Sequence, residues 1–141
     1  MTELIINGKD AFQEWGVRMG DDFLDVLSAP VPMKEFIENS SRLEHGKRVS
    51  VANAKLDSRE ITLTFTIEGK SESDFLDKKN LFYNELYKGM VDIHIPDNGS
   101  EIYHLIYRGK SSSYAQSLDR TFGKFSIKFE EPNPSNRVEN I

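Results

Sequence analysis

Hydrophobic and polar residues alternate most cleanly between Ile61 and Glu68. Ile61, Leu63, Phe65 and Ile67 share one face, and Thr62, Thr64, Thr66 and Glu68 share the other. Successive side chains on a strand point to opposite faces. The pattern therefore predicts a half-buried, antiparallel strand with a wet threonine face. Gly69 ends it. Ser71, with Asp74 three positions on, marks a capped helix start. Phe75, Lys79, Phe82 and Leu86 then fall on successive turns, with Leu76 and Tyr83 alongside. Lys79 crosses this apolar stripe by laying its stem along the surface. Gly89 is a good left-handed terminator, so the helix is expected over about residues 71–88.

The flanks carry the same two-residue period. Leu4, Ile5 and Ile6 predict a short first strand stopped by Asn7-Gly8. Asp10 is placed to cap a turn carrying Phe12 and Trp15, and Val17 and Met19 continue as a second strand. Asp21 to Ser28 reads as a short helix or an irregular loop, closed by Pro30 and Pro32. Residues 33–59 are mostly polar and fit a long hairpin or mobile arm, with limbs at 33–43 and 48–56. After the helix, Val91, Ile93 and Ile95 alternate up to Pro96, and Asp97-Asn98-Gly99 supplies hairpin turn chemistry. Ile102 to Tyr107 returns as the partner strand. Ser111 to Ser113 mark a loop or a weak, exposed strand. Phe125, Ile127 and Phe129 form the last strand before Pro132 and Pro134. With no repeat and no βαβ alternation, the expected class is α+β, mainly β: an antiparallel β-sandwich or barrel with one flanking helix and a long polar arm. Residues 3–132 form one domain, and 133–141 a polar tail.

Composition narrows the function. The chain has 141 residues, enough for a core without disulfides or metal, and it contains no cysteine. That removes thiol nucleophiles and thiolate metal sites. The net charge of -5 argues against general nucleic-acid binding, which draws most of its affinity from basic residues. The N-terminus lacks the pattern of a signal peptide, and no run approaches the ~20 apolar residues of a membrane helix. No membrane insertion is expected.

Candidate chemistry is thin. His94 and His104 flank the hairpin turn and, with Asp92 or Asp97, have the types of a metal site, but no ligand spacing supports one; two polar-face histidines are the better reading. An enzyme would need a pocket with converging polar groups there. Asp21-Asp22 and Glu130-Glu131 are acidic pairs, read as solvated charge because strand neighbours point apart. Gly109-Lys110-Ser111 lacks the rest of a phosphate loop, and Ser111 to Ser113 lack a nucleophile elbow. Trp15 with Phe12 offers a sugar platform, but a lone tryptophan in this setting favours the core. Arg42, Lys47 and Arg48 cluster on the arm, where a solvated tip is the simplest reading. No catalytic residue, cofactor or metal is expected, and no enzymatic activity.

Several segments in order carry a resemblance. They are Ile6-Asn7-Gly8 after a strand, the polar hairpin, Arg59-Glu60-Ile61-Thr62-Leu63-Thr64-Phe65 with Ile67-Glu68-Gly69, and a helix with Lys78, Lys79, Leu81 and Leu86 leading into Gly89. A hairpin with Tyr103 follows, then Phe122-Gly123-Lys124-Phe125-Ser126-Ile127-Lys128-Phe129-Glu130 and a proline. Across most of residues 3–132 this resembles the N-terminal domain of distal tail proteins of long-tailed bacteriophages, a fold similar to that of tail-tube subunits. The resemblance implies a virion structural protein, a ring-forming subunit, expected as a homohexamer, where the tail tube meets the baseplate or tip. It implies other tail or baseplate proteins as partners, synthesis in the bacterial host cytoplasm, and a lumen through which DNA passes without specific binding. The arm, through Arg42, His45, Lys47, Arg48, Val49 and Val51, becomes the candidate subunit interface. The C-terminal β domain usual in distal tail proteins has no counterpart in residues 1–141. Distal tail protein, tail-tube subunit and other ring subunit, of free phage or prophage, all stay open. The competing reading is a small carbohydrate- or protein-binding β module, with Trp15 or the tyrosines as platform.

Overall fold

The computed structural model describes residues 3–40, 45–52, 54–110 and 112–138. The chain runs β1 (Ile5–Ile6), β2 (Lys9–Asp10), α1 (Ala11–Trp15), β3 (Val17–Met19), α2 (Phe23–Leu27), β4 (Ile37–Ser40), β5 (Lys47–Ser50), β6 (Arg59–Glu68) and α3 (Glu72–Leu86). Then come β7 (Met90–His94), a 3-10 turn (Pro96–Asn98), β8 (Ile102–Tyr107), β9 (Ser113–Gln116) and β10 (Phe122–Glu131). Seven strands pair in the order β2-β1-β7-β8-β10-β6-β3, with β9 added to β10. The sheet curls into a half-barrel, in keeping with the expected mainly-β α+β class.

The alternation read at Ile61–Ile67 is what sets this sheet. Along β6 and β10 every second side chain is buried, and the antiparallel register places Phe125 opposite Phe65, Ile127 opposite Leu63 and Phe129 opposite Ile61. A slip of one residue would turn both apolar rows to water, so burial itself fixes the register. Thr64 and Ser126 meet on the outer face, with their hydroxyls 3.3 Å apart.

α3 covers the buried face of the sheet. Ser71 accepts from the Asp74 N–H at 3.1 Å, as the helix-start pattern predicts; the Asp74 carboxylate accepts in turn from the Lys70 N–H at 2.9 Å. Phe75, Phe82 and Leu86 are buried, whereas Leu76 is exposed and not part of the stripe. Lys79 lies with its ammonium 5.3 Å from the Tyr114 ring centroid and 6.0 Å from that of Tyr83. Two short helices add to the one expected. Asp10 caps α1 by accepting from the N–H groups of Phe12 and Gln13, and α2 resolves the helix-or-loop choice at Asp21 to Ser28. Gly16 ends α1 at φ +65°, where a Cβ would collide with the Glu68 carbonyl, so a tight crossing of α1 over the end of β6 requires glycine there.

The segment beyond Pro132 extends the fold. It turns at Asn133–Asn136, and Arg137 lies beside β8, its carbonyl accepting from the Ile102 N–H at 3.1 Å.

Candidate assembly surface

The polar stretch forms a hairpin of its own. β4 and β5 pair in a separate two-stranded sheet, with Glu38 opposite Val49 and Ser40 opposite Lys47. Its root is closed by a Met33–Leu56 bridge and by bonds from the Lys34 N–H to Lys55 and from the Asp57 N–H to Pro32. Gly46, at φ +70°, leads into β5. Every residue from 45 to 52 is exposed, Val49 at 42% and Val51 at 62%. Strand alternation puts Lys47, Val49 and Val51 on one side and Arg48 on the other. Lys47 pairs with Glu38 at 2.8 Å, an exposed contact that contributes little to stability. Of the six candidate interface residues, His45, Lys47, Arg48, Val49 and Val51 thus lie together on one exposed ribbon; Arg42 lies outside the described residues.

Two polar clusters that sequence reasoning missed tie the elements of the main sheet together. In the first, Glu131 is fully buried. It accepts from Arg59 Nε at 2.6 Å and from Arg137 Nε and Nη2, both at 2.9 Å. The rest of the Arg59 guanidinium donates to the carbonyls of Leu27, Ala29 and Val26 at the end of α2. Arg137 also sits 4.6 Å over the Tyr103 ring, and the Glu131 carboxylate raises its guanidinium above the usual range. Glu131 thus departs from the solvated charge expected of the Glu130-Glu131 pair. The signal was present, since extending the β6 and β10 alternation by one step places Arg59 and Glu131 inward and opposite each other.

In the second cluster, Asn7 and Gly8 turn between β1 and β2 with φ +52° and +79°. Asn7 then bridges to β7, donating to the Met90 carbonyl and accepting from the Asp92 N–H. Its amide also donates to Glu85 at 2.8 Å, and Lys9 and Lys88 reach the same carboxylate at 3.1 and 3.2 Å. Burial pushes the Glu85 carboxyl up, but hydrogen bonds from Asn7, Lys9 and Lys88 outweigh it and hold it below its ordinary value of 4.5. A carboxyl lowered in the folded state binds a proton more readily once unfolded. Its stabilisation is complete above that ordinary value and is lost as pH falls through the folded one. Glu85→Gln is expected to cost about 1–3 kcal/mol near neutral pH. It should also flatten the decline of thermal stability on acidification, measured by circular dichroism melts from about pH 7 to 3.

The histidines do not converge on a metal site: Asp92 and His104 pair across β7 and β8, while His94 Nε2 faces the Gly99 carbonyl at 3.2 Å. Among the described residues no group of three or more histidine, aspartate and glutamate side chains is placed to hold a metal. Trp15 is buried 5.8 Å from Phe82 and offers no platform. Tyr83, Tyr87, Tyr107 and Tyr114 instead line a groove with Ser112 and Ser113. Burial, with the neighbouring phenols adding to it, pushes Tyr83 up to about 12. No described helix is long and apolar enough to cross a membrane.

The fold has a solved counterpart. The chain is similar to SPP1 Dit (gp 19.1), described as a paradigm of the hub adsorption apparatus in Gram-positive infecting phages. The TM-score is 0.60 at 17% identity, over 94% of this chain and 50% of that one. The chain thus spans about half the length of that structure. At this identity the likeness establishes the fold, and at that level the resemblance to distal tail proteins holds. No protein-family profile matches the sequence. No curated protein matches it either.

Proposed function

We propose that this chain is a structural subunit of a bacteriophage tail, of the distal tail type, that acts by closing into a ring, expected to hold six copies, between tail tube and tail tip. The observation that carries this is the likeness to a tail hub protein over nearly the whole chain. The physical design supports it. A rigid half-barrel carries one exposed two-stranded ribbon, and a contact between two different patches of identical subunits makes a ring when its rotation closes. The net charge of -5 suits a lumen that DNA crosses without sticking. The role is non-catalytic, the site of action is the virion tail after synthesis in the host cytoplasm, and the partners are further copies and neighbouring tail proteins.

Deleting the arm tests the interface. Met33 and Leu56 are bridged, so residues 34–55 can be replaced by a short turn without stretching the chain. The variant is expected to keep its circular dichroism spectrum and melt cooperatively, yet sediment as a monomer where the parent forms a ring. Rings of the deleted chain would remove the arm from the interface. A second reading, a binding module, is favoured by the tyrosine-lined groove. It requires a strict monomer whose tyrosine fluorescence responds to added sugar or peptide.

A further inference from the structure

Besides the Ile102 N–H bond to the Arg137 carbonyl, two side chains anchor the segment beside β8, and only one of them depends on a proton. The first is Arg137, bound to Glu131 through two nitrogens and to Glu101 at 3.4 Å. A guanidinium keeps its charge at any ordinary pH. The second is His104. Its Nδ1 lies 2.9 Å from Asp92 Oδ1 and its Nε2 lies 3.2 Å from the Val138 carbonyl oxygen. An ionised carboxylate and a carbonyl oxygen can only accept. A neutral imidazole has one N–H and serves one of them, whereas an imidazolium serves both.

We propose that His104 is a proton-dependent latch on the end of the β8-side segment. With two ring protons it bridges β7 to Val138; with one it keeps Asp92 and releases Val138. The first state ties Val138 to the β7–β8 pair through the His104 ring. The second frees Val138 alone, because Arg137 stays bound to Glu131 and to the Ile102 N–H. Among the described residues, the neighbouring elements bring few charged or titratable groups. Asp92 and His94 come from β7, with His94 turned to Gly99. Glu101 precedes β8 and Glu131 closes β10, both bound by Arg137, while Glu130 is bound by Arg108. Among the described residues, Asp92 is thus the carboxylate in contact with the ring. Gaining one charge-assisted hydrogen bond is worth on the order of tenfold in the ratio of held to released Val138.

The test is NMR on the full chain labelled with 15N, following the Val138 amide and the histidine rings between about pH 8 and 5.5. The Val138 amide is expected to become more ordered on acidification, in step with the His104 ring. His104→Gln should abolish that response, and His94→Gln should leave it intact. Asp92→Asn is the sharper variant. An asparagine amide can donate to Nδ1, so a neutral ring can keep its N–H on Val138, and the segment should stay held at both ends of the range. The latch is overturned if Val138 is indifferent to pH, if it follows His94, or if Asp92→Asn leaves the response unchanged.

Discussion

Glu131→Ala is expected to destabilise the fold by about 3–5 kcal/mol, the range seen when one partner of a buried ion pair is removed. That is a large part of the ~5–15 kcal/mol that holds a domain together. The cause is the charge left behind. The Arg59 side chain is 5% exposed and that of Glu131 is 0% exposed, so without the carboxylate a guanidinium sits in the core with only carbonyl oxygens as acceptors. Arg137→Ala should cost much less. Arg137 lies nearer the surface, and its loss leaves Arg59 and Glu131 paired. Urea denaturation of the two variants beside the parent measures the difference. A Glu131→Ala midpoint close to that of Arg137→Ala would mean that the buried pair contributes no more than the outer one.

Phe82→Ala should cost a similar amount, about 3–5 kcal/mol, through the cavity it leaves. Phe82 joins α3 to the rest of the core. Its ring centroid is 5.8 Å from Trp15, 5.6 Å from Phe65 and 6.0 Å from Phe125, so one deletion loosens α1, β6 and β10 from the helix together. Phe82→Leu fills most of the space and should lose far less. The same denaturation experiment separates them. Equal midpoints for the two variants would show that the surrounding rings collapse into the gap.

These two sites differ in how openly the sequence announces them. Phe82 sits on a helical stripe, and Ile61–Ile67 and Phe125–Phe129 sit on two-residue periods, because burial of one face writes itself into local spacing. The arm was legible for the opposite reason: a long polar stretch has no face to bury. Glu131 was legible only by carrying the strand alternation one step further, and Glu85 was not legible. Their partners Arg59, Asn7 and Lys9 lie 72, 78 and 76 residues away, and a lone carboxylate looks solvated until its partner strand is known. The polar composition after Pro132 hid a segment that docks through the Arg137 side chain and backbone and through His104. The proposed ring closure would leave no mark either, since a contact between subunits shows in a single chain only as exposed residues, as Val49 and Val51 are.

The most direct measurement of the central claim is the mass and shape of the purified chain by light scattering and negative-stain electron microscopy. A closed ring of about six copies around an open lumen is the expected result. A particle of 16.2 kDa that stays monomeric at high concentration would contradict it.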